Sequence, residues 1–459
     1  MRLALAALLA LTALRLALAA TLPLAPDEAY YFLWSTHLQA GYFDHPPMVA
    51  LWIKAGTALC GNTALGVRLL GPLSAFFGSV LLWDAGERLI PGRRAGLMAA
   101  ALLNATLMVG VGAIIITPDT PLLFFWTCGL AALARLVASG NPRWWLAVGL
   151  AAGAMLLSKY TAALFIAAVF LWLLFTPTLR KQLRSPWPWA AVALALALFA
   201  PNLAWNATHG WVSYFKQGER VAHFDAARAT QFFIELAVGQ AALFTPGVAV
   251  LAGFGIWRLR RETTPGARLL LWLTLVPVAI FLEHVLSDRV QGNWVAIIYP
   301  SACLAAALAP PARWLKPALG LGFGITALAY VQALAGPFPI PARMDTSALQ
   351  LSGWQHLGQD AAASRPAFLT ADDYATAAAL AFYAPKNVPV LGFDKRWDYF
   401  NWPHSGQAGE TGIMVTRRND ADCPDELGRI TRKRGAEIIT TYRLCRFTVR
   451  APGVELPRP

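Results

Sequence analysis

The chain has 459 residues, of which 57% are hydrophobic and only 14% charged, with a mean hydropathy of +0.49. Soluble domains carry roughly 25% charged residues, so the composition excludes an ordinary soluble globular protein and points to a polytopic membrane protein. The formal net charge is +13, from 38 Lys+Arg against 25 Asp+Glu, but the basic residues fall in small clumps between apolar stretches. That is the pattern of topology signals, and it argues against a nucleic-acid partner.

A helix needs about 20 mostly apolar residues to cross a bilayer. Such stretches fall at approximately 3–23, 64–87, 95–114, 120–138, 143–158, 160–176, 187–205, 234–257, 268–286, 292–309 and 316–335, which predicts about eleven spans. Residues 1–24 have the look of a signal peptide. Arg15 interrupts their apolar core, however, and no clean small-residue cleavage site precedes Asp27, so they read as a retained first helix. Residues 28–38 and 47–60 are apolar but short or broken by polar residues, and read as helices lying at the interface.

With the N-terminus inside, the cytoplasmic connections carry Arg88, Arg93 and Arg94, then Arg135 and Arg143, then Arg180, Lys181 and Arg184. Arg258, Arg260, Arg261 and Arg268 follow, and then Arg313 and Lys316. Every such loop is basic, as the positive-inside rule requires. The opposite loops collect the carboxylates and histidines, and an odd number of spans leaves the C-terminal segment on that same outer side.

After Pro337, Pro339 and Pro341 the composition turns mixed and polar. Short β-like runs ("VPVLGF", "TGIMVTRR", "EIITTYRLCRFTVR") alternate with one helical stretch around 372–384, which reads as a small extracytoplasmic α/β domain. The predicted organisation is a membrane domain over 1–336 and a periplasmic α/β domain over 337–459. The fold class is mainly α. Cys423 and Cys445 both fall in the outer domain, where an oxidising compartment permits a disulfide. Cys128 and Cys303 fall in spans and read as packing residues.

The residues with chemical potential gather on the outer side. Asp27 and Glu28 are adjacent carboxylates at the start of an interfacial helix. They read either as a helix-start signal or as a general base at the mouth of a membrane cavity. Asp44 and His45 in "YFDHPP" follow on the same loop, with Tyr30 and Tyr42 as aromatic partners for a substrate. Asp119 lies between two prolines, as a helix cap or a binding group. Lys159, next to Tyr160, is a lone lysine against the positive-inside trend; it either holds an anion, with phosphate the candidate, or snorkels to the headgroups. The loop at 201–224 brings His209, Lys216, Arg220 and His223, and the loop at 283–294 brings Arg289 and Asn293. Asn206-Ala-Thr208 matches a glycosylation acceptor, a pattern too short to count. Cations for a phosphate and a carboxylate for a hydroxyl or amine suit group transfer from a lipid-phosphate donor.

Taken in order, "DEAYY", "YFDHPPMVALWI", "TPDTPLLFFW", "LLSKYTAALF", "PNLAWNATHGW" and "GNWVAIIYPS" resemble the bacterial branch of the protein-mannosyltransferase-like glycosyltransferases, close to the lipid A aminoarabinose transferases. The resemblance covers about residues 1–335. It implies a C-type membrane glycosyltransferase of the bacterial inner membrane. Such an enzyme moves a sugar with inversion from a polyprenyl-phosphate donor to a periplasmic acceptor: lipid A, other lipopolysaccharide, another envelope glycan or a protein. Carried over, Asp27 becomes the catalytic carboxylate and Glu28 its support. Asp44 and His45 take the place of a second motif that is Glu-Lys in the aminoarabinose transferases. With histidine standing where that lysine touches the donor phosphate, Lys159 becomes the better phosphate candidate, with Arg220 and Arg289 behind it. Some relatives use a divalent metal ion and others do not, which makes Asp44 with His209 or His223 the candidate metal set. The rival reading is a transporter or flippase of a lipid-linked sugar. It requires ionisable groups near the membrane midplane, and the sequence has few there: Arg15 is the clearest, with Asp84 and Glu87 near the inner edge.

Overall fold

The computed structural model describes residues 1–459 apart from 93, 219–225, 309–311 and 422, and the side chains of 226, 227 and 312. Arg220 and His223 thus lie outside the described residues. By packing, the chain divides into two units. The first comprises Met1–Leu16, Asp44–Val49 and Leu70–Ala327; the second comprises Ala17–Phe43, Ala50–Leu69 and Leu328–Pro459.

Among the described residues, six helices are long and apolar enough to cross a membrane: Arg2–Thr21, Ala64–Leu89, Asp119–Ser139, Pro186–Thr208, Pro265–His284 and Leu315–Ala335. Most of the other predicted spans are realised as shorter apolar helices, including Ala95–Asn104, Trp144–Leu156, Tyr160–Phe175 and Gly292–Ala306. Two expectations of a continuous span are corrected. The 234–257 stretch is two helices, Arg228–Leu243 and Pro246–Leu259, bent by 103°. Pro246 lacks an N–H and crowds the preceding residue out of the helical region, and Thr245 takes φ 67°. The 95–114 stretch breaks after Asn104 and restarts at Leu107 behind the N-cap Thr106. The two breaks satisfy each other: Thr245 Oγ1 donates to the Ala105 carbonyl at 3.2 Å and accepts from the Leu107 N–H at 3.1 Å. Irregular backbone at membrane depth is tolerated only where protein supplies such partners.

The core of the first unit is aromatic and aliphatic, built around Trp126, Phe165, Trp172 and Tyr299. Where helices approach most closely, the residues are small. A Cβ on Gly255 would run into the Ala305 carbonyl, and one on Gly322 into that of Ala105, the close backbone contact by which membrane helices associate. Arg15 is buried, and its guanidinium donates to Asn104 Oδ1 at 2.7 Å; Asn104 Nδ2 in turn donates to Ser79 Oγ at 2.7 Å. The clearest ionisable group a transporter reading could draw on is thus part of a packing network between helices.

In the second unit, helix Pro26–Thr36 starts with Pro26 in its first turn, where the missing N–H costs nothing. Helix Met48–Cys60 is present as expected. Among the described residues the C-terminal part carries seven strands: β1 Leu369–Ala371, β2 Leu391–Gly392, β3 His404–Ser405, β4 Thr411–Thr416, β5 Glu426–Arg434, β6 Glu437–Thr448 and β7 Gly453–Glu455. They form one sheet in the order β1-β4-β6-β5 and another in the order β2-β7-β3. β1 and β4 pair in parallel across helix Tyr374–Tyr383, and β5–β6 is an antiparallel hairpin turned at Gly435, φ 56°. This is the α/β composition expected from the sequence. Cys423 and Cys445 are joined in a disulfide, with their Cα atoms 5.4 Å apart.

Candidate functional site

Asp27 sits in the first turn of helix Pro26–Thr36, where a carboxylate is favoured by the exposed N–H groups. Its side chain is exposed, whereas the residues that follow, from Glu28 through Ser35, are buried. Glu28 is wholly buried and forms an ion pair with Arg68, also wholly buried. Arg68 Nε donates to Glu28 Oε1 at 2.7 Å and Nη2 to Oε2 at 2.5 Å, the two-pronged geometry that suits guanidinium and carboxylate. Glu28 Oε2 also accepts the Ala25 N–H at 2.9 Å. The rest of the guanidinium caps the end of the first helix, donating to the carbonyls of Leu22 at 2.6 Å and Pro23 at 2.7 Å. One buried cation thus holds the turn at 22–25 on both sides, and Asp27 rides on it.

Aromatic rings brace the same helix. Tyr30 lies 5.0 Å from Trp34 and 4.7 Å from Tyr374, and Trp34 stacks on Tyr42 at 4.2 Å. The Tyr42 hydroxyl donates to the Trp34 carbonyl at 3.0 Å and accepts the Gln39 N–H at 3.1 Å, and burial raises its phenol well above the ordinary range. Tyr42 therefore pins the loop after the helix. Tyr383 does the same before it, accepting the Leu24 N–H at 2.6 Å; burial pushes its phenol up to about 12. The Tyr374 hydroxyl donates to Asp27 Oδ1 at 3.0 Å.

In the first unit, Asp44 and His45 are half-buried; Gln217 Nε2 donates to the Asp44 carbonyl at 3.0 Å. The Met48 N–H donates to the Leu157 carbonyl at 2.9 Å just after the two prolines. Lys159 is corrected from a lone cation to a paired one. Its ammonium contacts Asp119 Oδ1 at 2.7 Å and Oδ2 at 2.9 Å, with both side chains buried. Asn293 Nδ2 donates to Asp119 Oδ2 at 2.7 Å, and the Trp294 ring lies 5.4 Å from the ammonium. Three residues picked out separately in the sequence are thus one cluster. An ammonium carries three N–H donors, and the carboxylate takes at most two of them.

Tyr160 joins a different group. Its ring packs on Tyr214 at 4.6 Å, and its hydroxyl accepts from Asn206 Nδ2 at 3.3 Å. Asn206 is buried in helix Pro186–Thr208, so its sequon is no acceptor in this fold. His209 stacks on Trp205 at 4.1 Å, with Nδ1 2.7 Å from the Trp205 carbonyl. Arg289 pairs with Glu235 at 2.7 Å. Among the described residues no group of three His, Cys, Asp or Glu side chains is placed to hold a metal ion. Arg68 and Tyr374 were missed in the sequence. Arg68 left a signal, a charge inside an apolar stretch; Tyr374 left none.

A family model described as dolichyl-phosphate-mannose-protein mannosyltransferase matches residues 44–205, the segment with Asp44, His45, Asp119 and Lys159; Asp27 precedes it. The chain is 27% identical over 307 residues to the lipid A galacturonosyltransferase RgtD of Rhizobium johnstonii, covering 65% of this chain and 63% of that protein. It is also 27% identical over 260 residues to the undecaprenyl phosphate-alpha-4-amino-4-deoxy-L-arabinose arabinosyl transferase of Erwinia tasmaniensis, covering 53% of this chain and 46% of that protein. The chain therefore spans less than two thirds of the length of these curated relatives. Among solved structures, ArnT of Cupriavidus metallidurans, crystallised with undecaprenyl phosphate, matches 100% of this chain and 98% of its own, with a TM-score of 0.65 at 18% identity. Over residues 44–205 the chain is thus similar in sequence to the dolichyl-phosphate-mannose-protein mannosyltransferase family, and along its whole length it shares the fold of ArnT.

Proposed function

We propose that the protein is an inverting membrane glycosyltransferase, moving a sugar from a polyprenyl-phosphate donor to a periplasmic acceptor of the lipid A or lipopolysaccharide class. The observation that carries this reading is Asp27, an exposed carboxylate on a helix start whose buried neighbours, Glu28 and Arg68, are committed to holding the turn that carries it. The names of the two curated relatives, both sugar transferases, support the same chemistry.

In this mechanism Asp27 takes the proton from the acceptor nucleophile as its oxygen or nitrogen attacks the anomeric carbon, and the polyprenyl phosphate departs from the opposite face. Lys159, steered by Asp119 and Asn293, is assigned to the departing phosphate, because a fixed cation in a water-poor site stabilises charge as it develops. Asp44 and His45 are assigned to the acceptor or the sugar, and Arg289 to a supporting role on the phosphate. Residues 337–459 are assigned to the periplasmic side as a domain, together with the loops bearing the site, on the positive-inside argument.

The test is transfer of radiolabelled sugar in proteoliposomes holding the full chain, offered polyprenyl-phosphate-linked galacturonic acid or aminoarabinose with lipid A as acceptor. A labelled lipid A product with inverted anomeric configuration is the expected result. A protein that moves the donor across the bilayer without forming product is a flippase, and the reading fails.

A further inference from the structure

The carboxylate assigned to catalysis is met by a phenol more than three hundred residues along the chain. Tyr374 is the first residue of helix Tyr374–Tyr383, and its direction is set by the N-cap: Asp373 Oδ1 accepts the Thr376 N–H at 2.8 Å, and Oδ2 accepts the Thr376 hydroxyl at 2.7 Å. From there the Tyr374 hydroxyl reaches Asp27 Oδ1 at 3.0 Å. The phenol ring is held as well: its centroid lies 4.7 Å from that of Tyr30, and the Arg396 guanidinium carbon is 3.8 Å from it. Arg396 is fixed in turn by Asp394, which accepts from its backbone N–H at 2.9 Å and from its Nε at 3.2 Å.

We infer that Tyr374 is a positioning residue for Asp27: its phenol fixes the carboxylate rotamer and favours the ionised form that serves as base. The inference rests on the reading of Asp27 as that base. Among the described residues, the charged and titratable groups on the packed elements are Glu28, Tyr30, Tyr31, Arg68, Asp372, Asp373, Tyr383, Asp394, Lys395, Arg396, Asp398 and Tyr399. Glu28 with Arg68 and Asp394 with Arg396 are ion pairs; Asp373 is spent on its helix start, and Tyr383 on the backbone of Leu24. A hydrogen bond donated to the charged form of an acid lowers its proton affinity, so the phenol extends the range over which Asp27 accepts a proton toward lower pH.

The experiment is the pH profile of kcat for Tyr374→Phe in proteoliposomes of the full chain. Phenylalanine keeps the ring against Tyr30 and Arg396 and removes only the hydroxyl. Expected are a kcat lowered about 10-fold, an unchanged donor KM, and an acidic limb moved up by about half to one pH unit, the size of one modest hydrogen bond. Phe382→Leu perturbs the same helix through its 5.2 Å contact with Phe32 without touching Asp27, and should leave the acidic limb in place. A Tyr374→Phe enzyme with an unmoved limb and kcat within about twofold of wild type overturns the inference. If Asp27→Asn is inactive in that same series, the base reading survives and only the role of Tyr374 is lost. If Asp27→Asn is fully active, both fall.

Discussion

Replacing Arg68 with leucine should be the most damaging single change away from the proposed chemistry. The substitution leaves Glu28 buried with no cation, and removing one partner of a buried ion pair costs about 3–5 kcal/mol. It also strips the donors from the Leu22 and Pro23 carbonyls, each worth about 1 kcal/mol. The expected loss is therefore about 5–7 kcal/mol, a large part of the stability of a marginally stable fold. Glu28→Leu should cost about as much through the stranded guanidinium. The double variant should cost clearly less than the sum of the two, because replacing both charges by apolar groups removes the desolvation penalty. A double-mutant cycle measures this, with unfolding of the full chain in mixed micelles followed by tryptophan fluorescence and a coupling energy of at least about 2 kcal/mol expected. Single variants that each cost under about 1 kcal/mol, and that add, would refute the clamp.

Other consequences are read the same way. Lys159→Met combined with Asp119→Asn avoids a stranded buried charge, so it should fold and should raise donor KM about 10- to 100-fold, the worth of a charge-assisted contact; an unchanged donor KM removes Lys159 from the phosphate. Asp345 is buried, and burial alone raises its pKa; hydrogen bonds from Ser347, Gln332 and the Ala348 N–H, with Arg434 at 2.6 Å, outweigh that and hold the carboxyl below the ordinary range. A depressed acid contributes stability above its unfolded pKa of about 3.9, lost as pH falls through the lower folded value. Thermal midpoints should therefore drop below about pH 4 in wild type and less in Asp345→Asn. Cys423→Ser opens a loop with a sequence separation of 22 and should cost about 3 kcal/mol, read as a reductant-insensitive loss in the unfolding midpoint.

What was legible in the sequence follows from the range of the interactions. Apolar runs fixed the helix positions because burial is a local tally, and the alternating runs after Pro341 gave the strands. The turn at Thr245–Pro246 carried its own warning in the proline, whereas the break after Asn104 has neither proline nor glycine and depends on Thr245 from a distant helix. The ion pairs Glu28–Arg68 and Asp119–Lys159 each join residues 40 apart. Asp119 and Lys159 were both visible, and Glu28 but not Arg68; in neither case was the pairing visible, since it depends on which helices become neighbours. The contact between Tyr374 and Asp27, 347 residues apart, lay further still beyond pattern.

The most direct test of the central claim is sugar transfer by Asp27→Asn beside wild type, with folding and donor binding measured on the same preparations. Asparagine keeps the shape and the hydrogen bond from Tyr374 but has no basic carboxylate. Loss of a general base costs typically 10²–10⁴-fold, so kcat should fall at least about 100-fold with donor binding intact. Turnover within a few-fold of wild type would make Asp27 a helix-start residue and would contradict the mechanism.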